Sequence, residues 1–307
     1  MREHPDHPVF ENTDYFMWFV KIQPAFMLST GLAPIIYRKN DMQLKRFLLA
    51  VLLSGTVLSS DIYGSVDSST SAVTGRDVAV MVNNADSSRD MHRNVVMVIE
   101  RGGQKLVRKM EMWAMHGDGE RRSLIRFNSP ADIQDSQFLS WTHDDITRGD
   151  DLWVFFPSEN MVRRINGGGK KSSFMRSSFA LEDIEYRSVD ADEHKFLRND
   201  SLNGRDVWVI ESAAVKEKAS ETGYSKRIVY VDKEYKLPVK IEYYDLHGEL
   251  CKVMLAGDFQ KVAGIWSAGK MIMQEEGKKS RTLMQYTDVV YNSGIDTAIF
   301  EHNNLKR

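Results

Sequence analysis

Apolar and polar residues alternate along most of the chain from residue 92 to residue 291. In the stretch KMEMWAM, Lys109 and Glu111 fall on one side of an extended chain, while Met110 and Met112 fall on the other. The same period of two occurs in VKIEYYD, MIMQEE, TLMQYT and VWVIE. This period predicts β-strands that have one buried face and one face in water.

Segments of this kind follow one another with short links marked by Gly, Pro, Asn or Asp. Almost no helical pattern separates them, which favours antiparallel meanders over βαβ units and predicts one large antiparallel sheet. The predicted strands lie at residues 92–100, 105–117, 122–128, 136–142, 151–157, 205–212, 226–232, 238–245, 251–257, 265–276 and 281–291.

The alternation also assigns individual side chains to the buried face. In VKIEYYD it groups Val239, Ile241 and Tyr243, and in VWVIE it groups Trp208 with Ile210. The segment DLWVFFP is apolar on both sides, so its orientation stays open.

A sheet with one apolar face needs a cover. The sequence offers two short helices for it, one at residues 78–85 and one at Ser172–Ile184, SSFMRSSFALEDI, where serines are suited to N-capping. Two short helices leave room for a cavity beneath them. Methionine is adaptable and suits a pocket wall, but composition alone favours ordinary core for the methionines on the apolar strand faces.

Residues 42–64 have the three parts of a secretory signal: Lys45 and Arg46, an apolar run at 47–58, and small residues at 59–64. The run is shorter than the roughly 20 residues that a membrane-spanning helix needs. Because a signal belongs at the start of a chain, we expect translation to begin at Met42 and residues 1–41 to be a misassigned extension; if they are made, export is in doubt. The remaining expectation is a flexible lead-in at residues 65–76 and a single domain at 77–307.

The net charge and the cysteine content exclude some classes of function. The net charge is −2 over 307 residues, which gives no basic footprint for nucleic acid. Cys251 is the one cysteine, so the chain has no intrachain disulfide and no cysteine after the signal for acylation. These features predict a soluble mature chain in the periplasm.

The motifs of catalysis are missing from the sequence. The eight histidines do not pair at metal-ligand spacing, and no G-x-S-x-G motif is present. The stretch RINGGGKKSS has Arg164 where a phosphate-binding loop needs its first glycine. We therefore expect no enzyme activity, no metal and no cofactor.

Several blocks, in this order, resemble the LolA-like outer-membrane lipoprotein-sorting proteins. They are RSLIRFNSPADIQDSQFLSW, DLWVFFPSENMVRRI, SSFMRSSFALEDIEY, RDVWVIES, YSKRIVYVDKEYKLPVKIEYYDLHGELCKV and GIWSAGKMIMQ. The resemblance runs from about Val78 to Arg307. Two positions depart from the family pattern: Arg176 stands where glycine is typical, and Leu181 stands where an aromatic residue precedes Glu-Asp.

The resemblance implies an α+β, mainly antiparallel fold, an incomplete, half-open β-barrel whose concave apolar face is covered by short helices. It also implies that the apolar faces line a ligand cavity closed by a lid. The implied lid residues are Phe174, Met175, Phe179 and Leu181, and the implied cavity-lining residues are Met110, Met112, Phe127, Trp141, Trp208, Ile241, Tyr243, Met271, Met273, Met284 and Tyr286.

The function that the resemblance implies is non-catalytic transport of lipid or lipoprotein acyl chains toward the outer membrane. Implied partners are an inner-membrane RND-type transporter and an outer-membrane acceptor, and the chain is expected to be a monomer. Two alternatives stay open: an accessory subunit of an RND-type exporter, and an envelope hydrolase that modifies lipids.

Overall fold

The computed structural model describes residues 72–117 and 119–305. The expected extension at 1–41, the signal at 42–64 and the part of the lead-in before residue 72 lie outside the described residues. The elements are α1 (Gly75–Asn83), β1 (Asp90–Arg101), β2 (Gln104–Gly117), β3 (Glu120–Ser129), β4 (Gln137–His143), β5 (Asp151–Phe156), β6 (Met161–Ile165), β7 (Asp192–Leu202), β8 (Arg205–Ala214), β9 (Tyr224–Asp232), β10 (Pro238–Asp245), β11 (Leu250–Gly257), β12 (Gln260–Val262), β13 (Ile265–Ser267), β14 (Lys270–Glu275) and β15 (Ser280–Tyr291).

In this part of the chain, thirteen strands form one open, curved sheet in which every pair of neighbours is antiparallel. The strand order is β6-β5-β4-β3-β2-β1-β15-β14-β11-β10-β9-β8-β7, and β12 pairs with β13 in a separate two-stranded sheet. The predicted antiparallel meander is confirmed. Every predicted strand segment falls on a strand, and 265–276 divides into β13 and β14.

Strands β6, β7 and β12 were not predicted, and β6 and β7 are the two edges of the large sheet. Edge strands are half exposed and carry many polar residues. The sequences MVRRI of β6 and DEHKFLRNDSL of β7 fit this description and show little apolar alternation. The apolar–polar alternation that predicts the inner strands is therefore absent from the two edge strands.

The inner face of the sheet, which carries Met110, Met112 and Phe127, holds a continuous apolar cluster. Cross-strand pairs build it: Met110 faces Phe127, Met97 faces Met284, and Met254 faces Met273. The buried members of this inner cluster are Val95, Met97, Ile99, Met110, Met112, Ile125, Phe127, Phe174, Phe179, Leu181, Tyr224, Tyr243, Met254, Met273, Met284 and Tyr286.

The outer face has smaller apolar clusters of its own. The C-terminal residues Phe300 and Leu305 pack on Leu124, Leu139 and Phe155. The orientation of β5, which the sequence left open, is thereby settled: Phe155 points outward, and Val154 pairs with Phe138 on the inner side.

Val239 does not share a face with Ile241, as its alternation predicted. The register between β9 and β10 shifts between Pro238 and Lys240. A β-bulge of this kind inserts one residue and turns its side chain to the other face. Val239 consequently packs in the outer cluster with Val207 and Tyr244.

Helix α1 begins at a capping box in which the Thr74 hydroxyl accepts from the backbone N–H of Asp77, and the Asp77 carboxylate accepts from that of Thr74. It starts three residues before the predicted helix. Gly75 lies so close to β7 that a Cβ there would sit 2.6 Å from the backbone of residues 194–196. This close approach lets Val78 and Ala79 pack on β8.

The second predicted helix, Ser172–Ile184, is wrong. The segment consists of 3₁₀ turns at Phe174–Arg176 and Leu181–Asp183, and φ is positive at Met175 (49°) and Arg176 (61°). The serines bond to nearby backbone instead of capping a helix: the Ser173 hydroxyl donates to the Ser177 carbonyl at 2.6 Å. Among the described residues, no helix has the length and apolar character needed to span a bilayer.

Replacing Met273, which is fully buried in the inner cluster, by alanine should lower the free energy of unfolding by about 2–5 kcal/mol because it leaves a cavity. The same substitution at Met161, which is 47% exposed on β6, is the matched control. Its expected cost is below about 0.5 kcal/mol. Urea unfolding of both variants measures the difference, and equal costs would contradict the inner-face packing.

Candidate functional site

The apolar inner face is sealed by the cover segment, which we define as residues 172–185. Its side chains Phe174 and Phe179 are each 1% exposed and lie in the inner cluster. The ring centroid of Phe174 lies 5.8 Å from that of Phe127 and 5.2 Å from that of Phe138. These distances are those of favourable aromatic pairs, so the segment is packed onto the sheet.

A buried ion pair fastens the cover segment to strand β11. The Lys252 ammonium lies 2.5 Å from the Asp183 carboxylate, whose side chain has no exposed surface. The Tyr224 hydroxyl donates to the same carboxylate at 2.9 Å. Lys252 also lies over the Tyr224 and Tyr243 rings, 4.9 and 5.2 Å from their centroids. These contacts compensate both buried charges.

Further polar contacts attach the segment to strands β2 and β15. The backbone N–H of Ser178 donates to the Thr282 hydroxyl at 2.9 Å, and the Ser178 and Ser280 hydroxyls lie 3.2 Å apart. The Arg108 guanidinium donates to the Met175 carbonyl. The cover segment is thus held by a few polar contacts that surround its apolar side chains.

The end of the cover segment carries two buried carboxyl groups. Glu182 accepts hydrogen bonds from the Thr222 hydroxyl at 2.5 Å and from the Gly223 backbone N–H at 2.9 Å. Burial nevertheless raises the pKa of Glu182. Burial also raises the pKa of Glu185, which accepts from the Ser140 hydroxyl. Both groups therefore bind a proton more readily than they would in water.

A cavity of about 370 Å³ lies beside the cover segment, between α1 and strands β8, β9 and β10. Its size falls in the range of roughly 300–1,000 Å³ that is typical of small-molecule sites. Register places its apolar floor in one row with the inner cluster, because Ile210 faces Val229, Val229 faces Ile241, and Ile241 faces Met254. The apolar side chains around the cavity include Ala79, Val82, Ile210, Val229, Ile241 and Tyr243.

Three of the charged groups at the cavity are paired with one another. Arg187 donates to the two oxygens of Asp192 at 2.7 and 2.9 Å, and Arg227 donates to them at 3.0 and 2.8 Å. Burial favours a higher pKa for Asp192, but these two arginines outweigh it and lower the pKa. These three charges satisfy each other, and the apolar side chains of the wall remain available for contact with a ligand.

Most of the side chains predicted to line the cavity are packed core in this structure. Ile241 and Tyr243 reach the cavity wall. The others on the inner face pack in the inner cluster, either buried (Met110, Met112, Phe127, Met273, Met284 and Tyr286) or partly buried (Met271). Of the predicted lid residues, Phe174, Phe179 and Leu181 are buried in that cluster and Met175 packs against it.

Two predicted lining residues lie elsewhere. Trp208 is on the inner side, but it packs with Val78 of α1 and not in the inner cluster. Trp141 is on the outer face, where its indole N–H donates to the Phe300 carbonyl at 2.8 Å. The prediction for Trp141 is wrong because β4 carries apolar side chains on both faces and Phe138 of the same strand takes the inner side.

The sequence did not identify the polar residues of the site. Lys252 has the same strand parity as Met254 on β11, and Arg227 has the same parity as Val229 on β9. A charged residue at a buried position of an alternating strand needs a partner. This is the signal in the sequence that marks Lys252 and Arg227 as residues with buried partners.

Two observations on the described side chains concern metal binding and nucleophilic chemistry. Across residues 72–117 and 119–305, no group of three or more His, Cys, Asp or Glu residues could hold a metal ion. The Cys251 thiol donates to the Tyr243 carbonyl at 3.3 Å, and burial raises its pKa. A thiol with a raised pKa is a poor nucleophile.

An open antiparallel sheet with a covered apolar inner face defines the LolA-like class of fold. A family model described as uncharacterized protein-like matches residues 119–307. A DUF1329 family protein from Desulfovibrio piger is 33% identical, with a TM-score of 0.72, and the match covers 75% of this chain and 97% of that one. A search of curated proteins finds no match.

Two further solved structures are similar. An outer membrane lipoprotein-sorting protein domain from Vibrio parahaemolyticus is 27% identical with a TM-score of 0.72, covering 76% of this chain and 98% of that one. A LolA superfamily protein from Nitrosomonas europaea shares the fold at 20% identity and a TM-score of 0.59, covering 75% and 98%. The chain belongs to the DUF1329 family of LolA-like proteins, and the resemblance seen in the sequence is confirmed.

Replacing Lys252 by methionine should lower the free energy of unfolding by about 3–5 kcal/mol, because it leaves the Asp183 carboxylate buried without its cation. Amide hydrogen exchange should become faster in residues 172–185 than in the parent chain, and it should change less in β1 and β2. The measurement is amide exchange read by mass spectrometry, together with urea unfolding.

The matched control is Lys226→Met, which breaks the half-exposed pair with Glu211. Exposed pairs contribute about 0–1 kcal/mol, so this variant should unfold nearly as the parent chain does. Uniform acceleration of exchange in the Lys252 variant would contradict a local fastening role.

Proposed function

We propose that this protein is a non-catalytic carrier in the cell envelope that binds the acyl chains of lipids or lipoproteins on the inner face of its sheet. The observation that carries the proposal is the apolar row that runs from the methionine cluster, beneath the cover segment, into the cavity of about 370 Å³ beside that segment. The similarity to a lipoprotein-sorting protein domain supports it.

The closed state described above is the ligand-free form in this proposal. The cavity beside α1 receives the first part of an acyl chain. Movement of the cover segment then withdraws Phe174 and Phe179 and frees the methionine surface for the rest of the chain. Methionine suits this exchange because its unbranched side chain adapts to different apolar neighbours.

The balance of free energies suits a carrier that must release its cargo. Each buried methylene of a ligand contributes about 0.8 kcal/mol, whereas exposing the two phenylalanines costs about 1.5–3 kcal/mol each. Breaking the polar contacts of Asp183 and Ser178 adds to this cost. The net affinity is therefore moderate even for a long chain, and a partner with a competing apolar groove can remove the cargo.

The proposal also assigns the carrier a cellular location, a donor and an acceptor. The signal-like segment at residues 42–64 directs the chain to the periplasm in this proposal, where it moves cargo toward the outer membrane. An inner-membrane RND-type transporter is the proposed donor, and an outer-membrane protein is the proposed acceptor. When the cover segment moves away, the curved sheet forms a half-open barrel around the acyl chain.

Filling the cavity should block binding without unfolding the chain. Ile241→Trp places an indole in the space of about 370 Å³ and should weaken binding of a fluorescent long-chain fatty acid at least about tenfold. Val239→Trp, two positions away on the outer face, is the matched control and should bind as the parent does. Equal affinities of both variants would contradict the cavity as the ligand site.

Locking the cover segment to the sheet should slow the exchange of ligand. Ser178 and Ser280, whose hydroxyls lie 3.2 Å apart, are suited to a disulfide in a Ser178→Cys, Ser280→Cys variant that also carries Cys251→Ser. We expect the oxidised form to release the fatty acid at least about tenfold more slowly than the reduced form does, as measured by stopped-flow displacement. Identical rates in the two redox states would show that the cover segment is not a lid.

A further inference from the structure

Three neighbouring hairpin tips project from one end of the sheet. They are the β1–β2 tip (residues 102–107), the β14–β15 tip (276–279) and the β10–β11 tip (246–250), and we call them together the hairpin rim. The Gly102 backbone N–H donates to the Lys279 carbonyl at 3.2 Å, and that of Glu276 donates to the Cys251 carbonyl at 2.9 Å. These bonds place the three tips side by side.

The rim exposes large apolar side chains. Leu106, Val107, Leu246 and Leu250 are 44%, 44%, 64% and 39% exposed, and they are half of the exposed large apolar residues in the described part of the chain. Leu106 pairs in register with the buried Ile99. The apolar inner face therefore extends outward along β2 as far as the tip.

Positive charge accompanies these apolar side chains. Lys105, Lys109 and Lys279 are exposed and form no ion pair with another described residue, and Arg176 of the cover segment is exposed near Arg108. Most acids near these tips are neutralised: Glu100 pairs with Arg281, and Glu275 pairs with Arg101 and Lys278. Glu276, Glu249 and Asp245 form no such pair in the described part of the chain, and Asp132 lies near Arg108. The positive excess is therefore confined to the β1–β2 side, where Lys105, Lys109, Lys279 and Arg176 outnumber the unpaired acids.

The cover segment meets the sheet at this same end. Arg108, next to the β1–β2 tip, donates to the Met175 carbonyl, and Ser280, next to the β14–β15 tip, contacts Ser178. When the cover segment moves away from the sheet, the inner face beneath it becomes accessible beside the rim.

We propose that the hairpin rim docks on the surface of an anionic lipid bilayer and brings the adjoining edge of the cover segment, which moves to expose the inner face, to the lipid. This inference rests on the carrier function proposed above. The apolar tips insert among the acyl chains, and the lysine ammonium groups remain at the anionic headgroups. The acyl chain then passes from bilayer to inner face without crossing open water.

The spread of the tips favours a bilayer over a protein groove as the partner. Five strand spacings separate β2 from β10 in the sheet order, which is roughly 24 Å at about 4.8 Å for each spacing. The apolar residues are thus distributed over separate tips with lysines between them. A planar, fluid surface can accept all of the tips together.

The test is flotation of the whole chain with vesicles of phosphatidylcholine alone or mixed equally with phosphatidylglycerol. We expect flotation with the mixed vesicles and less with the neutral ones, and raised salt should weaken it. Lys105→Ser with Lys279→Ser should weaken binding to the mixed vesicles roughly thirtyfold. Leu106→Ser with Leu246→Ser should weaken binding to both kinds of vesicle.

The matched controls lie away from the rim. Val290→Ser changes a residue that is 46% exposed at the opposite end of β15, and Lys195→Ser changes an exposed lysine on β7. Both should float as the parent does. Failure of the parent to float with either vesicle, or equal losses in rim and control variants, would overturn the proposal.

Fatty-acid binding by the same variants separates this proposal from the carrier function. Rim variants should keep the parent's fatty-acid affinity while they lose flotation. A parent that floats but binds no fatty acid would refute the carrier function and leave the docking surface standing. Rim variants that float normally but no longer deliver cargo to an acceptor protein would assign the rim to that protein and overturn docking on lipid.

Discussion

The structure depends on how the apolar inner face of an open sheet is kept from water. Thirteen strands place methionine and aromatic side chains on one face, and the two edges β6 and β7 do not meet to enclose them. The cover segment inserts Phe174 and Phe179, and α1 covers the side near β8. The stability of the fold depends on this cover, and in the proposed carrier so does the access of a ligand.

The contacts that attach the cover segment to the sheet suit the exchange of ligand in the proposed carrier. A long α-helix would bury a continuous stripe and satisfy its own backbone. The segment here is a series of 3₁₀ turns with positive φ at Met175 and Arg176, and its polar groups depend on Lys252, Thr282 and Arg108 of the sheet. Such a segment gains little by remaining ordered once it leaves the sheet, so it can open as a unit. The family's glycine preference at the position of Arg176 fits the left-handed backbone found there.

The sequence predicted the strands of the sheet interior and the facing of Met110, Met273 and Met284, because alternation reports directly which face is buried. The predictions from sequence were wrong or missing where alternation does not report which face is buried. Edge strands have no face that is fully buried, the bulge at Val239 reverses the alternation, and β4 is apolar on both sides, so the side of Trp141 was misassigned. The cover segment looked helical because its apolar spacing is compatible with a helix, while its serines favour local turns. The cavity depends on contacts between α1, β8 and β10, which lie far apart in sequence and leave no local pattern.

The central claim is that the inner face carries acyl chains in the cell envelope. The most direct test is to purify the protein under native conditions from the envelope and to analyse both the protein and its organic extract by mass spectrometry. The account predicts acylated molecules in stoichiometric amount, bound to a chain that has lost residues up to about 60–65. A chain recovered from the cytoplasm, beginning at Met1 and free of lipid, would contradict it.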